Sequence, residues 1–266
     1  MKTFTKRWYA VLSIFLVTSI TAFAQTKQQK QEISSRYNQS KLSQLKSEFA
    51  QKAEIQRQEA LRMAAQKGWD VLKSNEDGTF DQLIAVSNDG RPIYYTVYNE
   101  DAARSTRANH LHTGGTLGLN IDGQSMTAHV WDGGPTRPTH QEFDGPGGNN
   151  RVSINDGVTG LNGNSFHAQH VTGTIVASGV QAAAKGMAPQ ASALTHDWNN
   201  DLSEATTEAA NGMLISNHSY GYRASLIPDW YFGAYIDESR DWDNLMYNSP
   251  YYLMVVAAGN DGNDNS

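Results

Sequence analysis

The sequence contains no cysteine among its 266 residues. Without a thiol the chain cannot form disulfides, use a cysteine nucleophile or carry a lipid on cysteine. Its stability must therefore come from a packed core or from bound ions. Long hydrophobic runs are also missing after residue 24, since a spanning helix needs about 20 predominantly apolar residues.

One apolar run stands near the N-terminus, from Trp8 to Ile20, after three basic residues. It ends in Ala22-Phe23-Ala24, an A-x-A pattern that is typical of cleavage before Gln25. The run is shorter than a membrane span and is interrupted by serine and threonine. We interpret residues 1–24 as a signal peptide. The protein is then secreted, or placed at the cell surface or in the periplasm, with no membrane segment after signal removal.

Basic residues are scarce outside one short segment. Residues 25–67 carry nine Lys and Arg against four Glu, a net charge of +5, whereas residues 68–266 carry nine against 23 Asp and Glu, a net charge of −14. The negative charge of residues 68–266 argues against nucleic acid as a binding partner. The opposite charges allow the basic segment to dock on the acidic remainder. A solvated basic helix with no fixed partner fits the pattern equally well.

Residues 25–105 predict a small helix-plus-hairpin region. Residues 25–67 lack Gly and Pro and indicate one or two helices, whose apolar stripe is too thin to fold alone. Strand patterns follow at Phe80–Val86 and Ile93–Tyr98. Asn88-Asp89-Gly90 between them is a hairpin signal.

From residue 115 the sequence alternates short apolar runs with helical patterns. The predicted strands are Met126–Trp131, Ala193–Thr195, Met213–Asn217 and Leu253–Ala258, and the predicted helices are Ala168–Ser178, Ser203–Asn211 and Ala234–Met246. This alternation predicts an α/β fold with a doubly wound, mostly parallel sheet covered on both faces. Chemistry in such folds collects beyond the carboxyl ends of the strands.

An aspartate and a histidine are placed to work together. Asp132 ends a predicted strand before two glycines, and His167 opens a predicted helix in which Gly173 is expected to allow close backbone approach. In such a pair the acid orients the imidazole, which activates a nucleophile. Taken alone, an aspartate at a strand end is more often a turn or helix-cap residue. Asn260 follows the last predicted strand, where its carboxamide can donate to an oxyanion or simply form a turn.

Histidines also suggest a metal. His140, His167 and His170 offer three nitrogen ligands for a zinc hydrolase. Helical zinc sites more commonly space two histidines four residues apart with an adjacent glutamate, and that arrangement is missing here.

Four motifs in order resemble the subtilisin-like serine proteases (subtilases). They are Asp132-Gly133-Gly134, His167-x-x-His170-Val-Thr-Gly-Thr, Ser216-Asn-His-Ser-Tyr-Gly221 and Ala257-Ala-Gly-Asn260-Asp-Gly262. The resemblance covers residues 115–266. It implies that Asp132 is the orienting acid, His167 the general base and Asn260 the oxyanion donor. Ser219, Tyr220 and Gly221 would pair with a polypeptide substrate as an added strand.

Four residues, Ala168, Gln169, His218 and Tyr220, depart from those common in the family. These departures bear on substrate preference rather than on the catalytic residues.

The family's nucleophile motif, G-T-S-x-A/P, does not occur in the sequence. We therefore interpret residues 115–266 as an incomplete catalytic domain, truncated before its serine and inactive on its own. A non-catalytic binding protein of the same fold is the alternative. The resemblance requires no cofactor for catalysis. Structural calcium is compatible with it, although no set of ligands has the spacing of a calcium loop.

The position of residues 25–105 implies a pro-region that blocks the active site. The segment Asp101–Asn109 is small and polar and resembles a linker. We expect cleavage near Arg104 or Arg107 to separate the two parts.

Overall fold

The computed structural model describes residues 26–74, 80–97, 111–144, 151–181 and 184–260. The predicted signal peptide and the predicted linker lie outside these ranges. Within them, no helix combines the length and the apolar character that crossing a membrane requires.

The basic segment forms two helices, α1 (Lys27–Ser35) and α2 (Gln39–Lys67). Thr26 caps α1 by accepting a hydrogen bond from the Gln29 amide, and Gly68 ends α2 in a left-handed conformation with φ 72°. The predicted helices are confirmed. Their apolar stripe is as thin as expected, because α2 buries Leu42, Leu45, Phe49, Ala60 and Ala64 over 29 residues.

A four-stranded antiparallel sheet follows these helices. Its strands are β1 (Leu72–Ser74), β2 (Phe80–Val86), β3 (Pro92–Val97) and β8 (Tyr220–Tyr222), in that spatial order. The predicted hairpin is present as β2 and β3, and its turn uses Gly90 at φ 82°. The fourth strand comes from the second half of the chain, which the local pattern did not predict.

The second sheet has five strands, all paired in parallel. They are β4 (Thr127–Asp132), β5 (Val152–Ile154), β6 (Ser192–Asp197), β7 (Ile215–His218) and β9 (Leu253–Val256), in the order β5-β6-β4-β7-β9. The accompanying helices are α3 (Gln141–Asp144), α4 (Ser165–Val176), α5 (Asp201–Ala210) and α6 (Asp237–Asn248). The predicted α/β fold is confirmed. The strand order reverses at β4, where Asp132 lies.

Two apolar clusters cover opposite faces of this sheet. Trp131 belongs to the cluster that holds Leu245, and Ala193 to the cluster that holds Phe143 and Val176. The sequence predicted a sheet covered on both faces, but β9 is not covered in this way, since Leu253 is 59% and Val256 54% exposed. The reason is its position, because within the described ranges β9 is the edge strand and pairs with β7 alone.

The N-terminal helices share a core with the parallel sheet. Tyr37, Leu42 and Tyr95 belong to the same buried cluster as Trp131 and Trp198. In the described residues two ion pairs join the segment 26–97 to the rest, Lys52 with Asp241 and Arg223 with Asp81. Docking therefore combines buried apolar surface with two partly buried ion pairs.

Candidate active site

Asp132 and His167 meet at the carboxyl end of β4. His167 Nδ1 lies 2.9 Å from Asp132 Oδ1 and 3.0 Å from Oδ2, and both side chains are buried. The Gly133 amide donates to Asp132 Oδ1 at 2.8 Å and helps to fix the carboxylate. The structure thus brings two of the three predicted catalytic residues into direct contact.

A polar loop holds the histidine at this distance. Asn164 Nδ2 donates to the carbonyl of Gly133 at 3.1 Å, directly before helix α4 begins. A Cβ at Gly133 would lie 2.8 Å from Asn164 Nδ2, and one at Gly134 would clash with Asn162 Oδ1. The two glycines are therefore required for the close approach of strand end and loop. Our sequence reasoning missed both asparagines, since such residues are common in loops.

The C-terminal end of α4 packs closely against Gly186, whereas the sequence predicted close approach at Gly173. A Cβ at Gly173 meets no described atom within 4 Å outside its own helix. At Gly186 a Cβ would lie 2.6 Å from Ala177 N and 2.8 Å from Gly173 O. The expectation for Gly173 was wrong, because the approaching backbone lies over the end of the helix rather than over its middle.

The second ring nitrogen of His167 faces no protein partner. Nε2 is buried and has no hydrogen bond within the described part of the chain. Because Asp132 engages Nδ1, Nε2 is the nitrogen at which the imidazole can accept a proton.

The three histidines of the zinc alternative do not form a group. His140 Nδ1 accepts from the Glu142 amide at 3.3 Å, and His170 lies on the exposed side of α4. Among the residues described, the cluster that could hold a metal is Asp156, His196 and Glu204, which contains none of the three.

The predicted substrate strand is already paired. β3 runs antiparallel to β8, with Tyr95 opposite Tyr222, Thr96 opposite Gly221 and Val97 opposite Tyr220. Ser219 lies just before β8, and its hydroxyl accepts from Asn217 Nδ2 at 2.8 Å.

A buried hydrogen-bond chain supports Tyr220. The Tyr220 hydroxyl donates to Asp201 at 2.7 Å, so its oxygen accepts from His218 Nδ1 at 2.8 Å. Burial lowers the pKa of His218 to about 3, and a neutral ring has one donor and one acceptor. His218 Nε2 must then accept from Ser216, 2.8 Å away, which in turn accepts from Tyr252 at 2.7 Å. The two unusual residues, His218 and Tyr220, are thus partners of each other.

Asn260 lies at the same edge of the sheet as Asp132, four residues past β9. Its side chain is exposed, and no hydrogen bond joins it to Asp132 or His167. The structure places this predicted oxyanion donor beyond the carboxyl end of β9, with no hydrogen bond to the pair.

Carboxyl groups are concentrated around α5. Burial raises the pKa of Asp201 to about 7, with Glu238 adding to the rise, and burial raises the pKa of Glu204 to about 8. Burial lowers the pKa of His196 to about 4 and that of His129 to about 3. This region therefore holds acids and imidazoles whose charged forms are all disfavoured.

A family model matches most of the chain. The model of the subtilase family (Peptidase_S8) matches residues 85–266, beginning inside β2. No curated protein matches the chain.

Proposed function

Since the chain belongs to the subtilase family of serine-type peptidases, we propose that it is the precursor of an exported endopeptidase that cleaves polypeptides. The observation that carries the proposal is the buried pair of Asp132 and His167, with Nδ1 held by the carboxylate and Nε2 without a partner. The alternative of a non-catalytic binding protein has no structural observation in its favour.

The proposed mechanism is acyl transfer through a serine. A serine hydroxyl attacks the peptide carbonyl while His167 Nε2 accepts its proton and later returns it to the leaving amine. Asp132 keeps the imidazole in the required tautomer and stabilises the imidazolium. Asn260 donates to the oxyanion. No serine in residues 1–266 stands in the family's motif, so the proposal places the nucleophile outside them.

A serine-directed fluorophosphonate tests these roles. The reading frame would be expressed past codon 266, and the product labelled as wild type, as His167→Ala and as His170→Ala. His170 lies three residues along the same helix, on its exposed side, and is a matched control. We expect labelling of the wild type and of His170→Ala, and loss of label in His167→Ala. Labelling that survives His167→Ala would refute the general-base role, and an unlabelled wild type would favour the binding protein.

We further propose that residues 25–105 act as a pro-region that occupies the substrate strand. The pairing of β3 with β8 supports this, because an added substrate strand would need the same edge. Gln82 Oε1 also accepts from Trp198 Nε1 at 2.6 Å, and the ion pairs of Lys52 and Asp81 hold the segment in place. While β3 stays bound, a peptide cannot use the edge of β8 that β3 occupies.

N-terminal sequencing of secreted protein tests the pro-region. For the full reading frame we expect the mature chain to begin near Arg104 or Arg107. The His167→Ala variant should begin near Gln25 if the enzyme removes its own pro-region. Wild-type material that begins near Gln25 would contradict the proposal.

A further inference from the structure

A second cluster of chemically active side chains lies away from the Asp132–His167 pair. Asp156 follows β5, His196 lies in β6 and Glu204 lies on α5. One ligand-type atom from each lies within 4.8 Å of the other two, and His196 Nδ1 is 3.7 Å from Glu204 Oε2. Atoms that each lie about 2.1 Å from a tetrahedral zinc ion are about 3.4 Å apart. A small movement of the side chains therefore brings all three within reach of one ion.

His196 is the most informative member of the cluster. It is 1% exposed, and neither of its ring nitrogens has a hydrogen-bond partner within the described structure. The ring stacks on Trp131, with centroids 4.1 Å apart and planes 11° apart, so its orientation is fixed. A buried imidazole without partners is costly, and a metal ion would satisfy one nitrogen.

Both carboxylates are held in place by neighbouring groups. Asp156 accepts from the Val158 amide at 2.9 Å and from the Asp197 amide at 2.6 Å. Glu204 Oε2 accepts from Trp131 Nε1 at 3.0 Å. Such outer bonds orient ligands in metal sites. The Glu204 side chain is 26% exposed, which leaves a path for an ion from solvent.

We propose that Asp156, His196 and Glu204 bind a divalent transition-metal ion, with zinc as the reference case. One imidazole and two carboxylates suit Zn²⁺, Mn²⁺, Fe²⁺ or Co²⁺, whereas Ca²⁺ takes oxygen ligands throughout. The ion would join the loop after β5, strand β6 and helix α5, and so stabilise a chain that has no disulfides. This site is independent of the peptidase proposal and uses none of its residues.

The fold supplies a matched control one turn further along α5. His129 Nδ1 lies 3.8 Å from Glu208 Oε2, and the His129 ring stacks on His196 at 5.9 Å. His129 is buried like His196, and its Nδ1 also has no hydrogen-bond partner among the described residues. However, Glu208 is engaged by Asn155, and no third ligand among the residues that the structure describes completes a group there.

Zinc titration of the chelator-stripped chain tests the site. We expect one zinc per chain by calorimetry, a rise in melting temperature with zinc and a fall with chelator. His196→Gln and Glu204→Gln should weaken zinc binding at least about 100-fold. His129→Gln and Glu208→Gln should change it less than about threefold. Co²⁺ should give a visible absorption band that Glu204→Gln abolishes.

Three results would overturn the proposal. They are no zinc binding by the wild type, undiminished binding by Glu204→Gln, and equal loss of binding in the Glu208→Gln control. If His196→Gln does not fold, zinc binding by Glu204→Gln and Asp156→Asn tests the proposal. Both residues are partly exposed, so we expect these two variants to fold.

Discussion

Two alanine substitutions at the helix that carries His167 should change stability in opposite directions. At Gly186 a Cβ would lie 2.6 Å from Ala177 N and 2.8 Å from the carbonyl oxygens of Gly173 and Ile175. All three are backbone atoms, which cannot rotate away. They would have to move by about 0.6 to 0.8 Å to reach the 3.4 Å at which ordinary contact begins.

The same contact carries three hydrogen bonds that close the last turn of α4. The amides of Gly186, Met187 and Ala188 donate to carbonyls of α4 and its C-cap at 2.9, 2.9 and 2.7 Å. Overpacking of this kind costs about 1–3 kcal/mol, and each weakened hydrogen bond about 1 kcal/mol. We expect Gly186→Ala to lower the free energy of unfolding by about 2–3 kcal/mol.

Gly173→Ala is the matched control. Gly173 lies in the interior of α4, and a Cβ there meets no described atom within 4 Å outside its own helix. Glycine in a helix interior costs about 0.5–1 kcal/mol relative to alanine. The substitution should therefore stabilise the chain by that amount.

Urea unfolding of the three chains, followed by tryptophan fluorescence, measures both effects. With a slope of about 3 kcal/mol/M, Gly186→Ala should lower the midpoint by about 0.7–1 M and Gly173→Ala should raise it by about 0.2–0.3 M. If Gly186→Ala is neutral, or if both variants shift in the same direction by similar amounts, the contact at the end of α4 does not position the helix.

Three further predictions concern pH, catalysis and docking. Because the pKa of Asp201 is about 7 in the fold and 3.8 ordinarily, its protonated form stabilises the fold, and stability should fall as pH rises from about 4 to 7. In thermal melts over this pH range, the free energy of unfolding should fall less for Asp201→Asn than for the wild type, by at most about 4 kcal/mol. In the active full-length enzyme, Asn260→Ala should lower kcat by roughly 10²- to 10³-fold, the loss already known for the oxyanion carboxamide of subtilisin, with little change in KM. A change in KM alone would contradict this role. Lys52→Met leaves the buried Asp241 without that partner, so limited proteolysis should cut the N-terminal segment faster in this variant than in Arg62→Met. Arg62→Met is the control, because the ion pair of Arg62 with Glu59 is exposed. Equal cleavage rates would count against docking through Lys52.

Local patterns predicted most elements correctly. The hairpin around Gly90, the helices of residues 25–67 and the strand before Asp132 depend on neighbouring residues, and all are present. Boundaries differ by a few residues, as for α4, which begins at Ser165 rather than Ala168. Helix ends depend on caps and packing that a periodic pattern does not contain.

The Asp132–His167 pair shows where sequence reasoning could reach the site. The motif order predicted that these residues act together, and the structure places His167 Nδ1 2.9 Å from Asp132 Oδ1. Asn162 and Asn164, which hold the loop against Gly133 and Gly134, carried no signal because their role exists only once the loop reaches β4.

The sequence by itself determined the family motifs, the order in which Asp132 and His167 occur, and the absence of disulfides, because these are properties of residue type and order. Only the tertiary structure decided that β3 pairs with β8, that α2 shares a core with Trp131, and that Asp156, His196 and Glu204 meet. Each of these contacts joins residues far apart in the chain. No local period encodes such contacts, since they form only when packing of the sheets and helices brings distant segments together.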